Sequence, residues 1–269
     1  MKLIKFLLII VIFSIPSFGQ SGGAAASVSE FDVNGLKVIF KRRTSSPTVS
    51  VGLFVRGGVQ NQTPADAGIE NLALSAAVES SKRFPRDVLR KELSRTGSVI
   101  GAGSTYDFSV LSLTSTAENF ARSWGVFTDV VKDPSFAAAD VDRIRSGILA
   151  GLRNESASPD SSLDAFEQSV VYAGHPYANR PIGTIENVSR FTPEELRTYY
   201  RGLLQTSKML LVVVGDVDLA EMRKLVTASF ADLPKGNYKS VPLPQLSFTK
   251  PTLDITPRAL STNYVKGVF

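Results

Sequence analysis

Alternating apolar and polar residues predict β-strands in the first half of the chain. Apolar residues on both sides of Asn34-Gly35, within the segment 31–40, predict a β-hairpin, because a type I′ turn needs positive φ at both central positions. Residues 49–56 place valine or leucine at every second position, which indicates a strand that Gly57-Gly58 ends. The segments 99–103 and 106–115 predict a further strand pair.

Apolar residues at spacings of three and four predict helices through the middle of the chain. We expect helices over 65–81, 85–97, 117–131, 137–154, 161–172 and 218–230. Thr192-Pro193-Glu194-Glu195 is a capping box with proline at the first helical position. It predicts one more helix, which ends near Leu204.

The segment 209–214 is an uninterrupted apolar run of strand length, which predicts a central strand buried on both faces. The order of the elements is strands, several helices, one strand and one helix, without strict alternation. This order favours the α+β class, with a mixed sheet packed against helices.

The N-terminus has the pattern of a secretory signal. Lys2 and Lys5 precede the apolar run 6–15, which is followed by small residues suited to cleavage. The run is shorter than the ~20 residues of a spanning helix, so we predict a signal peptide over 1–20, with an uncleaved anchor as the alternative. Residues 21–28 are small and polar and predict a flexible lead-in. The predicted location is periplasmic or secreted, with no membrane span once the signal is removed.

Composition excludes several classes of function. The formal charge is +5, and removal of the two signal lysines leaves about +3. That weak basic bias, without a basic stripe and interleaved aromatic residues, does not indicate nucleic-acid binding. Because the chain has no cysteine, disulfides, thiolate metal sites and cysteine nucleophiles are excluded.

Four segments together resemble the insulinase and pitrilysin peptidases and the mitochondrial processing peptidase group. The first is 35–39 together with the strand that ends at Gly57-Gly58, and the second is 67–75. The third is His175-Pro176-Tyr177 together with 181–184 and the capping box, and the fourth is 211–218. The resemblance implies a metalloprotease-like N-terminal domain of the processing-peptidase type over 29–233. A proline-containing linker is predicted over 234–252, and the first strand of an incomplete second domain over 253–269.

The resemblance also locates the positions where the family binds its zinc ion. The family motif Gly-x-x-His-x-x-Glu-His places two histidine ligands and a glutamate base on one helix face. Counted from Gly68, those positions hold Asn71, Leu74 and Ser75. The third, distant carboxylate ligand falls at Ala150 and Gly151, so no element of the zinc site is present.

Two observations support this prediction without an alignment. The chain has a single histidine, His175, whereas the family's site needs two. Glu70 lies about 100° around the helix from Asn71 and does not restore the base. We therefore expect no metal and no zinc cofactor. The family's peptide-binding segment, Asn-Ala-x-Thr, corresponds to Gly101-Ala102-Gly103-Ser104. Because glycine replaces the asparagine, the side-chain contact with a peptide is lost, and binding by main-chain strand addition remains possible.

Three functions remain open at this point. The first is a non-catalytic subunit that helps an exported, active zinc-peptidase relative to bind peptide substrates. The second is a stand-alone peptide-binding or structural module. The third is a hydrolase with an unrecognised site, including an active metallopeptidase.

Overall fold

The computed structural model describes residues 28–248 and 251–268. The predicted signal peptide and lead-in lie outside the described residues, apart from Val28. That residue begins the first strand rather than ending a flexible segment.

A six-stranded mixed sheet forms the centre of the fold. Its strands are β1 (Val28–Val33), β2 (Leu36–Arg42), β3 (Thr48–Arg56), β4 (Val99–Ser104), β5 (Phe108–Thr116) and β6 (Met209–Gly215). The spatial order is β1-β2-β6-β3-β5-β4. Only β2 and β6 run parallel, and the other neighbours are antiparallel. This combination of parallel and antiparallel pairs confirms the predicted mixed sheet, in which β6 lies between β2 and β3.

Local sequence signals define the strand ends. Asn34 and Gly35 both have positive φ (51° and 86°) between β1 and β2, as the predicted type I′ turn requires. Gly57 and Gly58 also have positive φ directly after β3. Without Cβ atoms, these glycines let the chain leave the sheet sharply.

The described part of the chain contains eight α-helices. They are α1 (Ile69–Ala77), α2 (Arg86–Thr96), α3 (Phe120–Lys132), α4 (Ala138–Ala157), α5 (Pro159–Val171), α6 (Ile185–Arg190), α7 (Pro193–Leu203) and α8 (Leu219–Phe230). The predicted capping box is formed at α7, where Glu195 N donates to Thr192 Oγ1 at 3.2 Å and Thr192 N donates to Glu195 Oε2 at 2.7 Å. These helices and the mixed sheet confirm the α+β class.

The hydrophobic core lies on one face of the sheet. It joins alternate residues of the central strands to apolar residues of the helices, among them Phe40, Leu53, Leu211, Trp124, Phe127 and Tyr200. Along β6, Met209, Leu211 and Val213 are buried, but the residues between them are only half-buried. The prediction that β6 is buried on both faces was therefore wrong. A continuous apolar run does not reveal that helices pack on only one of its faces.

The C-terminal segment differs from the sequence prediction as well. Residues 251–268 contain no strand, although we expected the first strand of a second domain over 253–269. A β-strand needs a neighbouring strand to accept and donate its backbone hydrogen bonds, and this segment has none among the described residues. Within those residues, no helix combines the length and the apolar character needed to cross a bilayer.

Candidate functional site

The helix that carries the motif positions, α1, begins where two glycines meet. Gly68 has φ +92° and precedes α1 directly, which is why the helix starts at Ile69 and not at the predicted residue 65. A Cβ atom on Gly68 would lie 2.7 Å from the Gly183 Cα atom. Gly183 also has positive φ (+79°), and its own Cβ would lie 2.7 Å from the Ala67 carbonyl oxygen. Two segments that the resemblance rests on are thus in direct contact.

The three motif positions differ in burial. Asn71 and Ser75, one helical turn apart, are half-buried on the same side of α1. Leu74 is 1% exposed and belongs to the hydrophobic core. Its aliphatic side chain can neither bind a metal ion nor accept a proton. The position of the family's general base therefore contributes to packing in this chain.

The predicted third-ligand region lies on α4, a helix that contacts α1. Ala150 and Gly151 are both exposed on α4, whereas the following residue, Leu152, is buried in the core. Neither an alanine methyl group nor a glycine offers a metal-binding atom. Neither position can therefore supply the third metal ligand of the family.

The donor set does not fit the family's zinc ion. Zn²⁺ in proteins prefers imidazole, thiolate or carboxylate ligands, and the motif positions offer one carboxamide and one hydroxyl. In the described ranges, no group of three or more histidine, cysteine, aspartate or glutamate side chains converges as a metal site would require. No chemical step through zinc can be built from these residues.

From the sequence we placed Glu70 off the motif face but did not predict that this carboxylate is buried and bonded to two other elements. Glu70 is only 1% exposed, and its Oε1 atom accepts a hydrogen bond from the Ser109 hydroxyl of β5. Its Oε2 atom accepts from the Tyr199 hydroxyl of α7 at 2.7 Å. Burial, together with the nearby Glu70 charge, raises the pKa of Tyr199. Glu70 therefore links α1, β5 and α7, and its position among Ile69, Leu72 and Ala73 on an apolar helix was the available signal.

The predicted peptide-binding strand, β4, is the last strand of the sheet. It pairs with β5 on one side and has no strand neighbour on the other side within the described residues. Thr105 N donates to Phe108 O at 2.8 Å at the end of the β4–β5 hairpin. Because hydrogen-bonded and non-hydrogen-bonded pairs alternate in an antiparallel ladder, the backbone N–H and C=O groups of Ala102 and Ser104 point away from β5.

The residues of this strand that match the family's peptide-binding segment are all small. Gly101, Ala102, Gly103 and Ser104 are all half-buried. The Ser104 hydroxyl is buried and has no hydrogen-bond partner among the described atoms. β4 also contacts α1, so the free strand edge and the motif helix are neighbours. This arrangement can accept an extended peptide as an additional strand.

Sequence profiles identify the family. Residues 37–184, more than half of the chain, match the profile described as insulinase (peptidase family M16), and residues 190–265 match the profile described as peptidase M16 inactive domain. The chain therefore belongs to the insulinase family of M16 peptidases and peptidase homologues. The second profile begins before β6, which lies between β2 and β3. The single sheet thus contains strands from both matched regions.

Individual relatives are distant in sequence. Subunit 1 of the mitochondrial cytochrome b-c1 complex of Bos taurus is 24% identical over 220 residues, which cover 82% of this chain and 45% of the relative. The mitochondrial-processing peptidase subunit beta of Blastocladiella emersonii is 21% identical over 207 residues, which cover 77% and 44%. The chain thus spans about half the length of the curated relatives it matches.

Solved structures show the same fold. The peptidase M16 inactive domain from Pseudomonas fluorescens superposes with a TM-score of 0.74 at 22% identity, covering 82% of this chain and 54% of that one. The periplasmic protease PqqL from Escherichia coli gives a TM-score of 0.72 at 19% identity, covering 82% and 25%. These likenesses establish the fold and carry no activity over to this chain.

Proposed function

We propose that this chain is a non-catalytic, exported M16 homologue that binds extended peptides and acts as a partner subunit of an active zinc peptidase. The observation that carries the proposal is an M16-type fold whose motif helix holds Asn71, Leu74 and Ser75 at the three catalytic positions. Such a scaffold retains the peptide-binding edge without the chemistry of hydrolysis.

The subunit role rests on two kinds of support. The b-c1 relative and the processing-peptidase relative are both named as subunits of larger proteins. The chain's own motif helix has no ligand set for zinc, so a proteolytic role requires a second chain with an intact His-x-x-Glu-His motif. The periplasmic or secreted location rests on the N-terminal charge and apolar pattern, and the E. coli neighbour is a periplasmic protease.

The partner proposal is tested by reconstitution with such an active relative. The purified chain alone should hold no stoichiometric zinc and cleave no peptide, whereas its addition should raise the relative's turnover of peptides. Size-exclusion chromatography of the mixture should show a joint peak. A persistent monomer with no effect on turnover contradicts the subunit role and leaves the stand-alone binding module. Chelator-sensitive cleavage by the chain alone contradicts the proposal as a whole.

Peptide binding at β4 is tested by one backbone change. Ala102→Pro removes an N–H group that points away from β5, so the β4–β5 ladder keeps its hydrogen bonds while strand addition loses one of its own. We expect roughly a ten-fold loss of peptide affinity, the equivalent of about one well-formed hydrogen bond. Ala102→Ser keeps the N–H group and is the matched control. Equal peptide affinity for both variants would contradict binding at this edge.

A further inference from the structure

Three arginine side chains converge on one carboxylate just beyond the C-terminal end of the motif helix. Glu79 follows α1 closely, and its Oε2 atom lies 2.5 Å from Nη2 of Arg143 on α4. On α2, Arg90 Nη2 and Arg86 Nε lie 3.2 Å and 3.3 Å from the same oxygen atom. We call these three arginines the arginine cluster. It brings together side chains of two helices around a residue that extends from a third.

The acidic groups of this region lie inside and the basic groups lie outside. The side chains of Glu79 and Asp140 are only 14% and 10% exposed, whereas those of the arginine cluster are between 36% and 57% exposed. Asp140 is bound from within, since its Oδ2 atom accepts a hydrogen bond from the Ser80 hydroxyl at 2.7 Å. A molecule that approaches from solvent therefore meets guanidinium groups before it meets carboxylates.

The charges of the arginine cluster are not fully compensated. Glu79 contacts all three arginines, and Asp140 Oδ1 lies 3.2 Å from Arg143 Nη2 and 3.6 Å from Arg86 Nε. Two carboxylates thus face three guanidinium groups. Each arginine uses a single nitrogen for these contacts, and its other two nitrogens have no hydrogen-bond partner in the described part of the chain. The cluster therefore keeps unused donors and one excess positive charge.

The charged residues that flank the cluster in the sequence do not cancel this charge. They form pairs of opposite sign: Lys82 with Asp133, Arg145 with Asp142, and Asp87 with Lys91. The first two pairs are in direct contact, and the third is exposed on α2 with its members one helical turn apart. Arg83 is also exposed and adds a further positive charge. An approaching anion is therefore attracted to the cluster and not repelled by its surroundings.

We propose that the arginine cluster is a docking point for a carboxylate side chain on the surface of the partner subunit. This inference rests on the partner-subunit function proposed above. One incoming carboxylate gives three carboxylates for three guanidinium groups, so the charges balance. A planar guanidinium can donate two parallel hydrogen bonds to a carboxylate, and Glu79 already holds the three groups in place, which lowers the entropy cost of binding.

The charge count favours a protein carboxylate over a polyanion. Nucleic acids and anionic bilayers present many phosphate groups, and proteins bind them through extended basic surfaces. Here the excess charge is confined to three side chains, and most of the flanking charges are paired. Arginine is also enriched among the residues that contribute most to protein–protein binding. An acidic residue on a protein surface is therefore the ligand that this site fits.

The test measures the affinity between the full chain, labelled with a fluorophore, and the active peptidase relative. Arg90→Gln removes the most exposed guanidinium of the cluster and leaves Glu79 with two arginine partners, so the fold should be retained. Fluorescence anisotropy at low salt should show roughly ten-fold weaker binding, as expected for the loss of one interfacial ion pair. Arg42→Gln is the matched control and should change the affinity less than about two-fold. Arg42 is similarly exposed (54%) and is also bound to one carboxylate, that of Asp216.

Glu79→Gln gives a result that a purely structural ion-pair network would not. This variant keeps the shape of the side chain and one acceptor oxygen but removes an internal negative charge, so the excess positive charge of the cluster grows. We expect roughly three-fold tighter binding of the relative at low salt, with a steeper loss of affinity as salt is added. A network that only stabilises the fold predicts a lower thermal unfolding temperature without a gain in affinity. Unchanged or weaker binding would contradict the charge argument.

The remaining outcomes separate this inference from the proposed function. Equal affinity of Arg90→Gln and Arg42→Gln for the relative overturns the docking point and leaves the subunit role intact. If the unaltered chain and the relative form no complex, the subunit role fails and the docking point fails with it. Inorganic phosphate should not raise the thermal unfolding temperature of the chain more than sodium chloride of equal ionic strength. A phosphate-specific rise that Arg90→Gln abolishes would assign the site to phosphate and overturn the carboxylate assignment.

Discussion

The buried Glu70 carboxylate allows a direct test of whether this residue of the motif helix α1 stabilises the folded protein. Glu70→Ala removes the acceptor of two hydroxyl groups, Ser109 on β5 and Tyr199 on α7. Ser109 is fully buried (0% exposed), so its hydroxyl cannot turn to water, whereas the half-buried Tyr199 can do so in part. The role predicted here is structural.

The magnitude follows from these contacts. A buried donor left without a partner costs about 1–3 kcal/mol, and the partly hydrated second donor adds less, so we expect Glu70→Ala to lower the free energy of unfolding by about 2–4 kcal/mol. Glu70→Gln keeps the shape and one acceptor oxygen, and should cost about 1 kcal/mol. Ser109→Ala removes one of the two hydroxyl groups that Glu70→Ala leaves without an acceptor. The double variant Glu70→Ala/Ser109→Ala should therefore lose less unfolding free energy than the sum of the two single variants.

Urea unfolding followed by circular dichroism measures these differences, provided the slope m is unchanged between variants. Glu186→Ala is the matched control, since Glu186 also lies in the first turn of a helix but is exposed. We expect the control to change stability by less than about 0.5 kcal/mol. The reasoning is refuted if Glu70→Ala is no more destabilising than Glu186→Ala, or if the double variant is strictly additive.

Three further predictions concern stability. Gly183→Ala should lower the free energy of unfolding by roughly 2 kcal/mol or more, because φ is +79° and the added Cβ would lie 2.7 Å from a carbonyl oxygen. Gly174→Ala is the control, since φ is +77° but the added Cβ meets open space, and it should lower the thermal unfolding temperature clearly less. Thr192→Ala should cost about 1 kcal/mol by removing the N-cap of α7; an unchanged urea midpoint would contradict this. The raised pKa of Tyr199 contributes stability that is complete below its ordinary pKa of about 10 and is lost as pH rises above it. Tyr199→Phe should therefore reduce the loss of unfolding free energy between about pH 10 and 12. An unchanged pH dependence of the unfolding free energy in this range would refute the role given to Tyr199.

Several local elements of this protein are determined by its sequence alone. The Asn34-Gly35 turn, the capping box at Thr192 and the alternation along 49–56 each use interactions within a few residues, so the sequence contains their whole physical cause. The mixed sheet and the family followed from the order of such segments. The chemistry at Asn71, Leu74 and Ser75 was also readable directly, because a side chain's donor atoms do not depend on the fold.

Other features were decided only by the tertiary structure, because their causes are far apart in the sequence. Helix α1 starts at Ile69 through contact with Gly183, more than a hundred residues later. The single buried face of β6 depends on which side the helices pack. The partners of Glu70 come from β5 and α7. Periodicity reports the local conformation of the backbone, whereas these contacts depend on how distant elements pack in three dimensions.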